Sequence, residues 1–375
     1  MSETIVQELA GKRFLLVLDD VWTEDRSQWK KFMVHLETGV PRSKILLTTR
    51  SRTVAEAVES AYLFNLPLLC QDDSCQLFLR SFGAGWDGLS SGFQDVGKEI
   101  VRKCGGVPLA IQVIAGVLLG KRRIEQWKTI RDSSLLHVQG KENEISACLK
   151  LSYFHLLTNL KSCFTICSLF PKCYLIDKEQ LIDLWIAHDM IAMQDGVSYL
   201  ECIAEEYFNS LVQTSFLQNV EEGKDGSVAY GMHDLVHDLA RSILGDEISL
   251  VVPKEVTKSY RYFSLIKQPE NPVPIIEHPE NDVPVEEPEN PIPKAIFGKA
   301  RAVYVAMPSD SIGSMALEHA KHLRSVTVGS PSASVPKAMF QIKYLKYLAM
   351  SRLGCKVLPE AISHLWNLQA FNKQF

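Results

Sequence analysis

The sequence predicts an α/β fold at its amino-terminal end, followed by a mainly helical region and the start of a leucine-rich-repeat solenoid. Two apolar strands, at residues 14–18 and 44–50, flank an amphipathic stretch at 29–36. Apolar strands that alternate with helices are typical of a parallel sheet covered on both faces. Helical periodicity replaces the strand pattern from about residue 72 to residue 244.

Length and composition exclude several function classes. The chain has 375 residues, 22% of them charged, and a formal net charge of −4, which gives no general attraction to nucleic acid or anionic membranes. The longest apolar stretch, 107–119, is broken by Gln112 and is too short to span a membrane. With neither a secretory nor a transit signal, and with nine scattered cysteines, we expect a cytoplasmic protein with reduced thiols.

Two neighbouring strands end in side chains suited to binding a nucleotide. Asp19 and Asp20 end the first strand, and the second strand ends in two threonines and Arg50. The carboxyl ends of parallel strands meet at one sheet edge, where open α/β folds bind ligands. An aspartate there holds magnesium and an arginine pairs with phosphate. The alternative interpretation is that the two acids form an ordinary helix cap or turn and that Arg50 is a surface residue. Trp22 is expected to be a packing residue in either case.

Two later helices begin at residues of interest. Gly105 and Gly106 predict a helix stop and a tight turn, after which Pro108 occupies the first turn of a new apolar helix. His233 precedes an amphipathic helix. Because helix N-termini favour anions, His233 either contacts a phosphate or simply caps the helix.

The carboxy-terminal third changes character. The tripeptide Pro-Glu-Asn occurs three times, beginning at residues 269, 279 and 288, which predicts a semi-rigid acidic linker. After it, apolar residues recur at a spacing of about 23 residues, the period of leucine-rich repeats. They are Ile342, Leu345, Leu348 and Met350, then Leu365, Leu368 and Ala370.

The order and content of five blocks resemble the coiled-coil branch of the plant NB-ARC leucine-rich-repeat disease-resistance proteins. The blocks are residues 12–22, 43–50, 105–110, 163–171 and 232–234. The resemblance covers residues 1–245. It implies a P-loop NTPase-like domain with a partial parallel sheet, missing its first strands, then helical and winged-helix domains.

The resemblance also implies domain bounds. We expect a partial nucleotide-binding domain at 1–70, a helical domain at 71–155 and a winged-helix domain at 156–252. The proline-rich linker then covers 253–298, and the leucine-rich repeats begin at 299–375.

Position by position, the resemblance implies an ADP/ATP site with Mg²⁺ and no catalytic residue. Asp19 would hold the metal, Asp20 would lie beside the terminal phosphate, and Arg50 would sense that phosphate. Pro108 would pack on the base or ribose, and His233 would contact the diphosphate of ADP. In such proteins the ADP form is closed, and exchange for ATP opens it.

The sequence departs from the family pattern in one respect. No G-x-x-x-x-G-K-[ST] string, whose backbone donors and lysine cradle phosphates, occurs in it. The nearest string, 115–122, has a basic end and is expected to finish an apolar helix. We therefore expect an N-terminally truncated fragment with weak or lost nucleotide binding, and at most a vestigial ATPase.

The predicted function is the switch region of a plant immune receptor that acts in defence. The alternative is a nucleotide-independent interaction module or decoy that pairs with other receptors. Expected partners are other immune-receptor chains or a pathogen-derived protein. Nucleic acid is not expected, because the candidate recognition helix at 177–190 carries Asp183 and Asp189 and no basic residue beyond Lys178.

Overall fold

The computed structural model describes most of the chain in two compact units. The first unit contains the described residues up to Pro67, and the second contains those from Leu68 onward. The described residues are 9, 11–34, 36, 40–83, 85, 88–133, 141–192, 199–222, 228–250, 260–266, 296–306, 320–328, 340–351 and 360–374.

The first unit is a small α/β layer. It contains β1 (Leu15–Leu18), α1 (Arg26–Val34), β2 (Lys44–Leu47) and α2 (Arg52–Ala57). The strands are parallel, with Leu15 opposite Lys44 and Leu18 opposite Leu47. One sheet face packs with Trp29, Phe32 and Val54. On the other face Leu15 is 67% exposed, Val17 53% and Leu46 54%.

The second unit begins with five helices. They are α3 (Gln71–Phe82), α4 (Ser91–Lys103), α5 (Pro108–Leu118), α6 (Ile124–Arg131) and α7 (Lys141–His155). The apolar α5 is the central helix of this group and is buried along most of its length. It ends before Gly120, whose φ is +83°. The string nearest to a phosphate loop is therefore a helix end, as predicted.

A winged-helix arrangement follows. It contains α8 (Thr158–Ile166), α9 (Lys178–Ala187), α10 (Leu200–Gln213), the antiparallel strands β3 (Gln218–Glu222) and β4 (Val228–Gly231), and α11 (Asp234–Leu244). Its core contains Phe164, Trp185, Phe208 and Phe216. Cys163 and Cys167 are buried free thiols in this core. Asp177 caps α9, because its carboxylate accepts from the amide of Gln180 at 2.8 Å.

The last part of the second unit is a six-stranded parallel sheet in sequence order. Its strands are β5 (Ile248–Ser249), β6 (Tyr262–Ile266), β7 (Ala302–Ala306), β8 (Ser325–Val328), β9 (Tyr347–Ser351) and β10 (Ala370–Gln374). One face forms a separate core that includes Phe263, Val303, Val326 and Leu348. Residues of the other face, such as Tyr304 and Tyr347, belong to the winged-helix core.

The sheet both supports and modifies the sequence prediction for this region. Strands β8, β9 and β10 begin at residues 325, 347 and 370, close to the 23-residue spacing found in the sequence. However, β6 lies inside the segment 253–298 that the sequence assigns to a linker. It forms a strand because Tyr262, Phe263 and Leu265 are apolar side chains that the sheet buries. The Pro-Glu-Asn repeats lie outside the described residues.

The α/β and winged-helix predictions are thus confirmed, while the leucine-rich-repeat assignment remains a prediction. No helix within the described ranges has both the length and the apolarity needed to cross a bilayer.

Candidate nucleotide-binding edge

The two acids lie together at the carboxyl end of β1. Asp19 follows the strand directly, and Asp20 adopts a left-handed conformation with φ of +49°. Such a conformation is uncommon for a residue with a side chain, although aspartate tolerates it better than most. The turn therefore has to be held by specific contacts.

Those contacts come from the end of β2. The hydroxyl of Thr48 accepts a hydrogen bond from the amide of Asp20 at 2.8 Å and donates to the carboxylate of Asp19. The amide of Val21 donates to the carbonyl oxygen of Thr48 at 2.9 Å. The hydroxyl of Thr49 donates to the carbonyl oxygen of Val21 at 2.6 Å. The loops after both strands are thereby joined into one edge.

Arg50 completes this edge. Its Nη2 lies 3.3 Å from both carboxylate oxygens of Asp20, and both side chains are 39% exposed. The guanidinium carbon also lies 4.2 Å from the ring centroid of Trp22. An exposed pair of this kind contributes at most about 1 kcal/mol. The ion pair between Arg50 and Asp20 is therefore a weak one.

The donor set at this edge suits magnesium. Mg²⁺ prefers oxygen ligands and is usually held in proteins by one or two carboxylates, with water and phosphate oxygens completing an octahedron. Asp19 and Asp20 place two carboxylates at this edge, and Thr48 orients that of Asp19. Among the described residues, no cluster of three or more histidine, cysteine or acidic side chains could form a fully protein-ligated metal site.

Pro108 lies in the second unit, at the first position of α5. It follows the tight turn that the sequence predicts, where Gly105 and Gly106 have φ of +60° and +74°. A Cβ on Gly106 would lie 2.4 Å from the carbonyl oxygen of Leu69, and the amide of Leu69 donates to the carbonyl of Gly106 at 3.0 Å. The turn thus fixes where α5 begins and so positions Pro108.

His233 also lies in the second unit and caps α11. Its Nδ1 accepts a hydrogen bond from the amide of Leu235 at 3.2 Å. Because Nδ1 is the acceptor, Nε2 carries the proton of the neutral ring and is a potential donor to an anion. The capping role and the phosphate-contact role predicted from the sequence are therefore compatible.

The structure brings Asp19, Asp20 and Arg50 to one edge of the first unit. Sequence reasoning assigned no role to Thr48, whose hydroxyl bonds both acidic residues, and treated Trp22 as a packing residue. The role of Thr48 could have been predicted, because a threonine at the end of a strand next to two acids can hydrogen-bond to them. No sequence pattern showed that the Trp22 ring would lie against Arg50.

Comparison with known proteins identifies two domains. The NB-ARC domain model matches residues 1–85, and the disease resistance protein winged helix domain model matches residues 169–240. An NB-ARC domain is a nucleotide-binding domain. Neither match extends beyond residue 240 into the six-stranded sheet.

Similar chains come from two plants. "Disease resistance protein RGA2" of Solanum bulbocastanum is 37% identical over 267 residues, which are 71% of this chain and 27% of that protein. "Putative disease resistance protein RGA4" of the same plant is 39% identical over 260 residues, 68% of this chain and 26% of that protein. A putative disease resistance protein of Arabidopsis thaliana is 31% identical over 380 residues, 96% of this chain and 25% of that protein.

This chain spans about a quarter of the length of these relatives. The matches nevertheless cover most of it, and both matched domain types occur in the order that the sequence predicts. The chain belongs to the plant disease-resistance proteins that carry an NB-ARC domain and a winged-helix domain.

Proposed function

We propose that this chain provides the magnesium and terminal-phosphate side of an ADP/ATP switch in a plant immune receptor that acts in defence in the cytoplasm. The observation that carries the proposal is the convergence of Asp19, Asp20 and Arg50 at one sheet edge. The acidic side chains complement the charge of Mg²⁺, and the arginine complements the charge of the phosphate.

Each residue has a role in this proposal. Asp19 holds Mg²⁺ through water, Asp20 lies beside the terminal phosphate, and Arg50 binds that phosphate. Pro108 packs on the base or ribose, and the Nε2 of His233 donates to the diphosphate of ADP. The ADP form is the resting state, and ATP shifts the population toward an open form that pairs with other receptor chains. Residues 299–375 begin the leucine-rich repeats, a proposal supported by the spacing of β8, β9 and β10.

Nucleotide affinity is proposed to be weak. The 375 residues contain no phosphate-cradling loop, so the amide donors and the lysine that usually supply most of the phosphate affinity must come from elsewhere. Turnover is not proposed, because in phosphoryl transfer the same elements stabilise the transition state.

Calorimetric titration of the full chain with MgADP and MgATP tests this function. We expect saturable binding in the millimolar range, about −4 kcal/mol. Asp19→Asn should weaken binding in the presence of Mg²⁺ and leave the metal-free affinity unchanged. Asp72→Asn, in the exposed first turn of α3, is the matched control. Absence of saturable binding, or an Asp19→Asn variant that binds like the parent chain, would contradict the proposal.

A second candidate function is an interaction module that pairs with other receptor chains without nucleotide. The exposed apolar face of the β1–β2 sheet, formed by Leu15, Val17 and Leu46, favours it. Large exposed apolar patches mark protein interfaces. Co-precipitation with a full-length relative should then persist without nucleotide and fall in a Val17→Lys variant. An equivalent change at the exposed Val220 of β3 should have no effect, and nucleotide-dependent pairing would count against this candidate.

A further inference from the structure

Trp22 lies partly at the surface of the first unit, although it is a large aromatic residue. Its side chain is 47% exposed, although Trp29, seven residues later, is almost fully buried. The Trp29 ring packs edge-on against Phe32, and its Nε1 donates to the carbonyl of Thr23 at 2.8 Å. Trp29 thus has the contacts and the burial of a core residue, whereas Trp22 is half exposed. Because about half of the Trp22 side chain stays in contact with water, its burial stabilises the fold much less than full burial would.

The contact that Trp22 does make is with Arg50. The guanidinium carbon of Arg50 lies 4.2 Å from the indole centroid, well within the range of a cation–π interaction. The backbone enforces this approach. Val21 directly precedes Trp22, and Thr49 directly precedes Arg50. The amide of Val21 donates to the carbonyl oxygen of Thr48, and the carbonyl oxygen of Val21 accepts from the hydroxyl of Thr49. The side chains of Trp22 and Arg50 therefore project from neighbouring positions on the same sheet edge.

The contacts of Arg50 with Trp22 and with Asp20 differ in what can replace them. A cation–π contact at an exposed site contributes about 0.5–1 kcal/mol, and the exposed pair with Asp20 contributes a similar amount. Asp20 presents a carboxylate, for which a phosphate is a stronger substitute because its oxygens carry more charge. The indole presents a neutral face, which a phosphate does not displace. The ring can hold the guanidinium while its anionic partner changes.

We propose that Trp22 is a positioning residue that holds Arg50 at this edge so that the guanidinium can exchange Asp20 for the terminal phosphate of ATP. The inference rests on the proposed nucleotide site. It restricts the effect to the triphosphate, because ADP lacks the phosphate that Arg50 would bind. Without the ring, Arg50 must be ordered at the moment of binding, which costs side-chain entropy.

The test uses the full chain and five variants. Trp22→Ala should weaken MgATP binding about two- to tenfold and change MgADP binding less than twofold. Trp22→Phe should retain most of the ATP affinity, since a phenyl face also attracts a cation. Arg50→Ala should weaken ATP binding, and the double variant Trp22→Ala/Arg50→Ala should bind no more weakly than Arg50→Ala alone. Trp366→Ala, at the most exposed tryptophan of the described residues, is the matched control.

A measurement without nucleotide checks the contact itself. The side-chain Nε–H resonance of Arg50 should show a ring-current shift in the parent chain and in Trp22→Phe. That shift should vanish in Trp22→Ala. The indole Nε1–H resonance of the buried Trp29 should stay unchanged in these variants, which would show that the core of the first unit remains folded.

The outcomes separate the two proposals. If Arg50→Ala weakens ATP binding and Trp22→Ala does not, the role of Trp22 is wrong and the nucleotide site stands. If neither variant changes ATP binding, or if the parent chain binds no ATP, the nucleotide site is wrong and the role of Trp22 fails with it. If the two substitutions add fully in the double variant, the ring acts independently of Arg50, and the inference is overturned.

Discussion

Acid is expected to weaken the packing of the winged-helix region on the parallel sheet at His188. His188 lies directly after α9, and its Nε2 is 2.8 Å from the hydroxyl of Ser325 at the start of β8. Burial, together with the nearby positive charges of Arg324 and Arg301, lowers the pKa of His188 to about 3. Lys346 lowers this pKa further, and Asp189 opposes the shift.

The size of the effect follows from the two protonation states. An unfolded histidine titrates near pH 6.5, so the folded form of His188 binds its proton far less readily. Stability is therefore complete above about pH 6.5 and falls as the pH approaches 3. Between pH 7.5 and pH 5.0 the loss attributable to His188 is about 2 kcal/mol. The Asp189 carboxylate remains charged in this window, because Lys346 and Arg324 outweigh its burial and hold its pKa below the usual value.

Urea unfolding of the second unit at the two pH values measures this loss. His237 also has a pKa lowered by burial and contributes in the same direction, so the informative quantity is the difference between variants. His188→Gln should lose about 2 kcal/mol less than the parent chain on acidification. If the parent and His188→Gln lost the same free energy of unfolding, the assignment of the acid response to His188 would be refuted.

Three further outcomes are expected. Asp189→Asn keeps a residue that tolerates φ of +55° but removes both ion pairs to the sheet edge, so stability should fall by about 1 kcal/mol at low salt and change little at 1 M salt in urea unfolding. Gly106→Ala places a methyl group 2.4 Å from a backbone carbonyl oxygen at φ of +74° and should lower the thermal stability of the second unit by about 1–3 kcal/mol. Thr48→Val removes the acceptor for the amide of Asp20, so hydrogen exchange at that amide should accelerate about tenfold, whereas the exposed Thr53→Val should leave it unchanged.

The acidic edge could be predicted from the sequence because it depends on local order. A buried apolar strand that stops at Asp19 and Asp20, and a second that stops before Arg50, must bring these residues together if the strands are parallel neighbours. The start of α5 at Pro108 could be predicted for the same reason, because two glycines and a proline that are neighbours in sequence determine it. His233 was predicted to precede a helix, and it does so as the cap of α11.

Features that depend on packing could not be predicted in this way. The exposure of Trp22 follows from where the surrounding chain lies and not from its neighbours in sequence. Strand β6 is short and is followed by the Pro-Glu-Asn repeats, whose composition dominated the prediction for the whole segment. The contact between His188 and Ser325 joins residues 137 positions apart, and no periodicity marks either residue.

The position of the winged-helix core against the parallel sheet has a consequence for recognition. The ring of Tyr304 on β7 lies 5.8 Å from the rings of both Phe170 and Tyr174, and Tyr347 on β9 belongs to the same buried core. This sheet face lies opposite the face that forms the separate core with Phe263, Val303 and Val326, and it is already occupied by the protein itself. A partner that bound there would compete with an intramolecular ligand, and its apparent affinity would fall in proportion to the fraction of molecules in which that face is uncovered.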